Sequence, residues 1–156
     1  MVWRIPIRFV DQAGNPAAPD ASNPSFAIPV MDVVFRYDPS EALPLQAHEV
    51  SVIALVDTGA DLNAGTQKLI NAAGAPHTHD VTVLGATSGV ASTRHACHLL
   101  FTDAALQIGT DIDTVPLREN GRCYDLIIGR LTLRLGKLVM DYPGNDFYWE
   151  VPRPSL

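Results

Sequence analysis

Two segments hold residues whose types and order could do chemistry. In Ala54-Leu55-Val56-Asp57-Thr58-Gly59-Ala60-Asp61 a carboxylate emerges from a strongly apolar run and meets Thr-Gly. An Asp at the end of a buried strand is costly unless it is hydrogen-bonded or paired, so its position needs a reason. One reason is structural: the Asp caps a turn for which Gly59 supplies the backbone freedom. The other is chemical, because a carboxylate fixed at a strand end can give or take a proton. In the second segment, Tyr124-Asp125-Leu126-Ile127-Ile128-Gly129-Arg130, large apolar residues run directly into a glycine.

Other reactive residue types are less well arranged. His77-Thr78-His79-Asp80 and His95-Ala96-Cys97-His98 contain metal-ligand residues. On a strand, however, His95 and Cys97 share one face and His98 takes the other, so the second group does not converge on one ion. Ser88 and Ser92 lie near histidines without the Gly-x-Ser-x-Gly pattern that exposes a nucleophile. There is no Gly-rich phosphate cradle followed by Lys and Ser/Thr. No metal and no cofactor is therefore expected.

The elements that must position Asp57 read as mainly β. Trp3, Ile5, Ile7 and Phe9 alternate with polar residues or proline, as in a half-buried strand. Asp11 to Pro29 is Pro- and Ala-rich, with Asn15-Pro16, Pro19-Asp20 and Asn23-Pro24 as turn signals, and reads as a loop insertion. A second alternating strand places Met31, Val33, Phe35 and Tyr37 on one face and ends at Asp38-Pro39-Ser40. The run from Glu49 to Val56 suits a strand buried on both faces. Leu69, Ile70 and Ala73 fall at helical spacing before the stop signal of Gly74 and Pro76. Val81 to Leu84 and Thr93 to Thr102 flank Gly85-Ala86-Thr87-Ser88-Gly89, which reads as a hairpin with a mobile tip. Short strands are expected at 114–117, 124–128, 138–142 and 147–151, with one or two helical turns at 130–135. Many short strands and few helices indicate a β-barrel or sandwich.

Composition bounds the function. The chain has 156 residues, and 11 Lys+Arg against 17 Asp+Glu give a formal charge of −6, which argues against nucleic-acid binding. With 47% hydrophobic and 18% charged residues it can bury one substantial core, so a single domain over 1–156 is expected. Within it, 1–30 is an amino-terminal strand plus the loop insertion and 31–156 is the core. No apolar run is long enough to span a membrane, and Met1-Val2-Trp3-Arg4 does not open like a secretion signal. A soluble, cytoplasmic protein follows as the expectation. Cys97 and Cys123 then read as separate thiols, although their redox state stays open.

Taken together, Asp57-Thr58-Gly59-Ala60 and the later Ile127-Ile128-Gly129-Arg130 resemble the two signature motifs of the retropepsin-like aspartic proteases. The resemblance runs from about Val33 to Val151 and includes Leu131-Thr132-Leu133-Arg134-Leu135-Gly136 as the helix and turn into the last strands. It implies a small closed β-barrel with one or two short helices. It further implies that Asp57, with Thr58 and Gly59, forms the catalytic turn, and that Ile127, Ile128 and Gly129 support it from an adjacent strand. Arg130 would form a buried or half-buried ion pair with Asp61. Ala60, Asp61 and the flap residues Gly85, Ala86, Thr87, Ser88 and Gly89 would contact substrate. The residues also depart from the family pattern at Asn63, Gly65 and Leu131, and Asp57 comes late in the chain.

In that family two carboxylates share one proton, one activating water and the other polarising the scissile carbonyl. Only one Asp-Thr-Gly is present, so the resemblance implies a homodimer with Asp57 from each subunit on the twofold axis, acting on a polypeptide. Thr58 would then brace the turn across the interface. Trp3 to Phe9 and Phe147-Tyr148-Trp149 are candidates for an interleaved sheet between subunits, or for ordinary pairing within one chain. The rival reading is an inactive retropepsin-like module for dimerisation or peptide binding.

Overall fold

The computed structural model describes residues 1–19, 27–38, 48–85 and 87–154. The turn signals at Asp20, Asn23, Pro24, Pro39 and Ser40, and the flap candidate Ala86, lie outside them. In chain order the strands are β1 (Val2–Pro6), β2 (Arg8–Val10), β3 (Pro16–Ala17), β4 (Ile28–Arg36), β5 (Val50–Val56) and β6 (Ala64–Gly65). Helix α1 (Gln67–Ala73), β7 (His77–Leu84), β8 (Gly89–Phe101), β9 (Leu106–Thr114) and β10 (Leu126–Ile128) follow. The chain closes with α2 (Arg130–Leu133), β11 (Lys137–Asp141) and β12 (Asp146–Pro152).

The larger sheet runs β3-β2-β4-β5-β10-β6-β9-β8-β7, and an additional β4–β8 pairing joins part of that order back on itself. The closure needs a long strand, which β8 supplies. One stretch, Arg94 to Phe101, pairs with β9 while Leu99 and Leu100 also meet Phe35 and Val34 of β4. Side chains on the enclosed face, among them Met31, Phe35, Leu99, Phe101, Ile112 and Leu126, are fully buried in one cluster. Removing that much apolar surface from water is the main force holding the ring together.

The smaller sheet, β1-β12-β11, ties both ends of the chain to this core. Trp3 pairs with Val151 and Ile5 with Trp149. Trp149 is completely buried, donates its indole N–H to the Leu133 carbonyl at 3.1 Å, and meets the Phe101 ring edge-on at 5.5 Å. Of the two readings for the terminal strands, the structure has pairing within one chain.

Two sequence expectations change. The alternation from Trp3 to Phe9 is not one strand: the chain leaves the small sheet after Pro6 and enters the large one at Arg8, with the Ile7 N–H donating to the Phe147 carbonyl at 3.0 Å. Ile5, Ile7 and Phe9 all stay buried across the switch, so the period-2 pattern continues although the partner strand changes. The strand expected at 114–117 is the end of a longer one, β9, and Val115 to Leu117 form turns beyond it. The helix expected at 66–73 is present. Thr66 caps it by accepting from the Leu69 N–H, and Gly74 ends it in the left-handed conformation at φ 64°.

Candidate active site

Asp57 is the first residue beyond β5, and its position follows from how β5 is paired. Leu55 and Val56 lie parallel to Ile127 and Ile128 of β10, and β10 in turn lies antiparallel to Ala64-Gly65 of β6. The loop from Asp57 to Asn63 therefore leaves one neighbour of β10 and returns as the other. The Asp57 N–H donates to the Ile128 carbonyl at 3.1 Å, which continues the β5–β10 ladder into the turn. The Gly59 N–H donates to Asp57 Oδ1 at 2.8 Å, orienting a carboxylate that is only half buried. An N–H bond to one oxygen fixes the carboxyl plane and leaves the other side accessible.

Gly129 is the closest point of this crossing. A Cβ placed there would lie 2.3 Å from the Leu62 carbonyl oxygen and 2.8 Å from that of Ala60, so no larger residue fits without moving backbone. The chain then turns into α2, whose first N–H groups bind the loop: Arg130 donates to the Ala60 carbonyl at 2.9 Å and Leu131 to that of Asp61 at 3.0 Å.

Asn63, which departs from the family pattern in sequence, is the buried clamp of the loop. Its side chain is almost wholly inaccessible; Oδ1 accepts from the Gly129 N–H at 3.1 Å, and Nδ2 donates to Thr132 Oγ1 at 2.8 Å and Thr110 Oγ1 at 3.1 Å. Three segments, the loop, the start of α2 and β9, thus meet at one amide. Among the described residues no buried side-chain nitrogen or oxygen lacks a partner, so hydrogen bonds within the network offset its loss of water.

The pair expected between Arg130 and Asp61 is formed, but it is neither buried nor half-buried: the two side chains are 61% and 76% exposed. The backbone groups beneath the pair are hydrogen-bonded to one another, and both side chains extend from them into solvent. Behind the second motif, the Arg118 guanidinium donates to both oxygens of Asp125 at 3.0 and 2.7 Å and holds its carboxyl below the usual range.

Across a cleft of about 360 Å³ the loop faces the hairpin. The arm residues Thr82, Val83 and Leu84 line the cleft opposite Gly59, Ala60 and Asp61, and Ile127 contributes from β10. The described tip residues Gly85, Thr87, Ser88 and Gly89 are exposed beyond it, closed by the Gly85 N–H on the Ser88 carbonyl at 2.8 Å. Arg94 and Asp113, which the sequence reading did not single out, also line the cleft. Their positions on β8 and β9 are cross-strand partners, a pairing invisible until β9 is recognised.

His77, His95 and His98 have hydrogen-bond partners within the chain. The buried His95 ring has Nδ1 2.9 Å from the Ala75 carbonyl and Nε2 2.9 Å from Thr93 Oγ1. Cys97 and Cys123 are free, and burial pushes the Cys97 thiol up to about 12. No helix among the described residues is long and apolar enough to cross a membrane.

No protein-family model matches the sequence, and no curated protein matches it. Solved structures do. The retropepsin-like aspartic protease from Rickettsia conorii is 14% identical, with a TM-score of 0.54 over 97% of this chain and 92% of that one. The EIAV protease complexed with the inhibitor HBY-793 is 18% identical, with a TM-score of 0.49 over 72% of this chain and 93% of that one. The retroviral protease-like domain of Ddi1 from Leishmania major is 14% identical, with a TM-score of 0.43 over 81% and 98%.

Proposed function

The chain has a retropepsin-like fold, and from it we propose that the protein is an aspartic endopeptidase that works as a homodimer. The observation that carries the proposal is the fixed Asp57 carboxylate, oriented by the Gly59 N–H at the start of the loop whose next residues, Gly59 to Ala64, line the cleft. Its turn is clamped from beneath by Gly129 and Asn63.

One Asp57 supplies half of the required chemistry. A second subunit, placed so that the two Asp57 turns meet, provides the other carboxylate, and Thr58, exposed beside each, braces the turns across the interface. Two carboxylates a few Å apart do not both ionise readily and hold one proton between them. The ionised one takes a proton from water as it attacks the scissile carbonyl; the protonated one donates to the carbonyl oxygen. Substrate lies in the cleft as an extended polypeptide, with Ala60 and Asp61 below and the hairpin arm above. The carboxyl that took the water's proton then protonates the amide nitrogen as the C–N bond breaks, and the other takes back a hydroxyl proton of the adduct, so the dyad is restored and no covalent bond to the enzyme forms.

The test is cleavage of a diverse mixture of unstructured peptides from mildly acidic to neutral pH, by wild type and Asp57→Asn, with sedimentation of both proteins. Cleavage by dimeric wild type alone supports the proposal. A folded dimer of wild type that cleaves nothing contradicts it and leaves a peptide-binding module.

A further inference from the structure

The cleft beside Asp57 is walled mainly by apolar side chains, including Leu62, Val83, Leu84, Val115 and Ile127, yet it contains one deeply set ion pair. Asp113 is only 5% exposed, and Arg94 binds it through Nε at 2.7 Å and Nη2 at 3.1 Å. Both Asp113 oxygens are thus taken. A guanidinium carries five N–H donors, and among the described residues the remaining donors of Arg94 on Nη1 and Nη2 make no hydrogen bond. The other carboxylate in the lining, Asp61, is held by Arg130. The cleft therefore offers unfilled guanidinium donors among apolar side chains, and its one buried carboxylate, Asp113, is already paired.

Resting on the endopeptidase reading, we infer that Arg94 sets substrate preference: the cleft takes a substrate side chain with an apolar stem and a terminal acceptor oxygen, as in Gln or Glu, and disfavours Lys and Arg. An acceptor there meets donors already held in place by Asp113, so little ordering is needed on binding. An apolar side chain of the same length leaves those donors without water and without a partner, which a buried polar site tolerates poorly. A basic side chain meets the guanidinium and finds the buried Asp113 already paired.

The test is cleavage of a peptide set varied at each position near the cut, by the full-length wild-type protein, Arg94→Met, and the double variant Arg94→Met/Asp113→Asn. The double variant avoids stranding a buried carboxylate if the single one fails to fold. At one position near the cut, wild type is expected to favour Gln or Glu over Leu, and over Lys, by about tenfold or more in kcat/KM. The variants are expected to favour Leu there. Cleavage by wild type with no such preference, or with one that the folded variants keep, overturns the inference while leaving the endopeptidase intact. If wild type cleaves nothing, the endopeptidase reading fails, and affinities of the same peptides for wild type and variants decide the pocket: a Gln or Glu preference lost with Arg94 upholds it, and equal affinities overturn it.

Discussion

The two walls of the cleft are built in opposite ways. The Asp57 wall is held by backbone bonds to Ile128, Ala60 and Asp61 and by the buried Asn63 amide. The hairpin wall extends past the rest of the sheet, and Leu84 and Val90 at its end are 82% and 58% exposed. On the proposed endopeptidase reading this is a division of labour: a carboxylate must be fixed to within a fraction of an ångström, whereas a cover over an extended substrate must open and close.

Disrupting the rigid wall should have the largest effect. Gly129→Ala places a methyl group against two backbone carbonyls, and a loss of about 3 kcal/mol or more is expected in denaturant unfolding, with activity abolished. Asn63→Ala strands the buried Gly129 N–H and frees Thr132; about 2 kcal/mol is expected from the same measurement. If either variant is as stable as wild type, the rigid wall is not what positions Asp57.

Smaller effects sharpen the contrast. Asp125 is held below its ordinary range by the Arg118 hydrogen bonds, burial partly opposing them. A carboxylate with a depressed native pKa contributes stability above its unfolded value of roughly 3.9, and that contribution disappears as pH falls through the lower native value. Asp125→Asn should thus be less stable than wild type at neutral pH by under about 1 kcal/mol, given the exposed Arg118. The gap should close on acidification below roughly pH 4, as thermal melts at a series of pH values would show. Arg130→Gln breaks a pair that is mostly in water, and a change of no more than about 0.5 kcal/mol is expected. At the other wall, Gly85 has no positive φ, and an added Cβ would come no closer than 3.4 Å to the Ser88 carbonyl. Gly85→Ala should leave stability within about 0.5 kcal/mol and show itself in the KM for peptide instead.

The same contrast explains what could be read from sequence. Asp57 at the end of an apolar run, Gly129 after two large apolar residues, and the Gly74 stop signal are local, and each stands at a strand or helix end in the fold. Asn63 was legible only as a departure, because its partners lie 47 to 69 residues away and no neighbouring residue announces them. Strand β9 was missed over most of its length: Gly109 and the acidic Asp111 and Asp113 mask its alternation, though Asp113 is neutralised by Arg94 across the ladder. The break at Ile7 escaped notice because periodicity reports burial and not the identity of the partner strand. The exposure of the Asp61–Arg130 pair depends on where the loop and α2 lie at the surface of the fold, which no local side-chain pattern encodes.

The central claim, one carboxylate from each of two subunits, is tested most directly by mixing. Wild type and Asp57→Asn subunits are allowed to exchange at fixed total concentration, and peptide cleavage is followed as the wild-type fraction falls. If both Asp57 carboxylates are required, activity declines as the square of that fraction, so an equal mixture retains about a quarter of it. A decline in direct proportion, from subunits shown to exchange, would contradict the shared dyad.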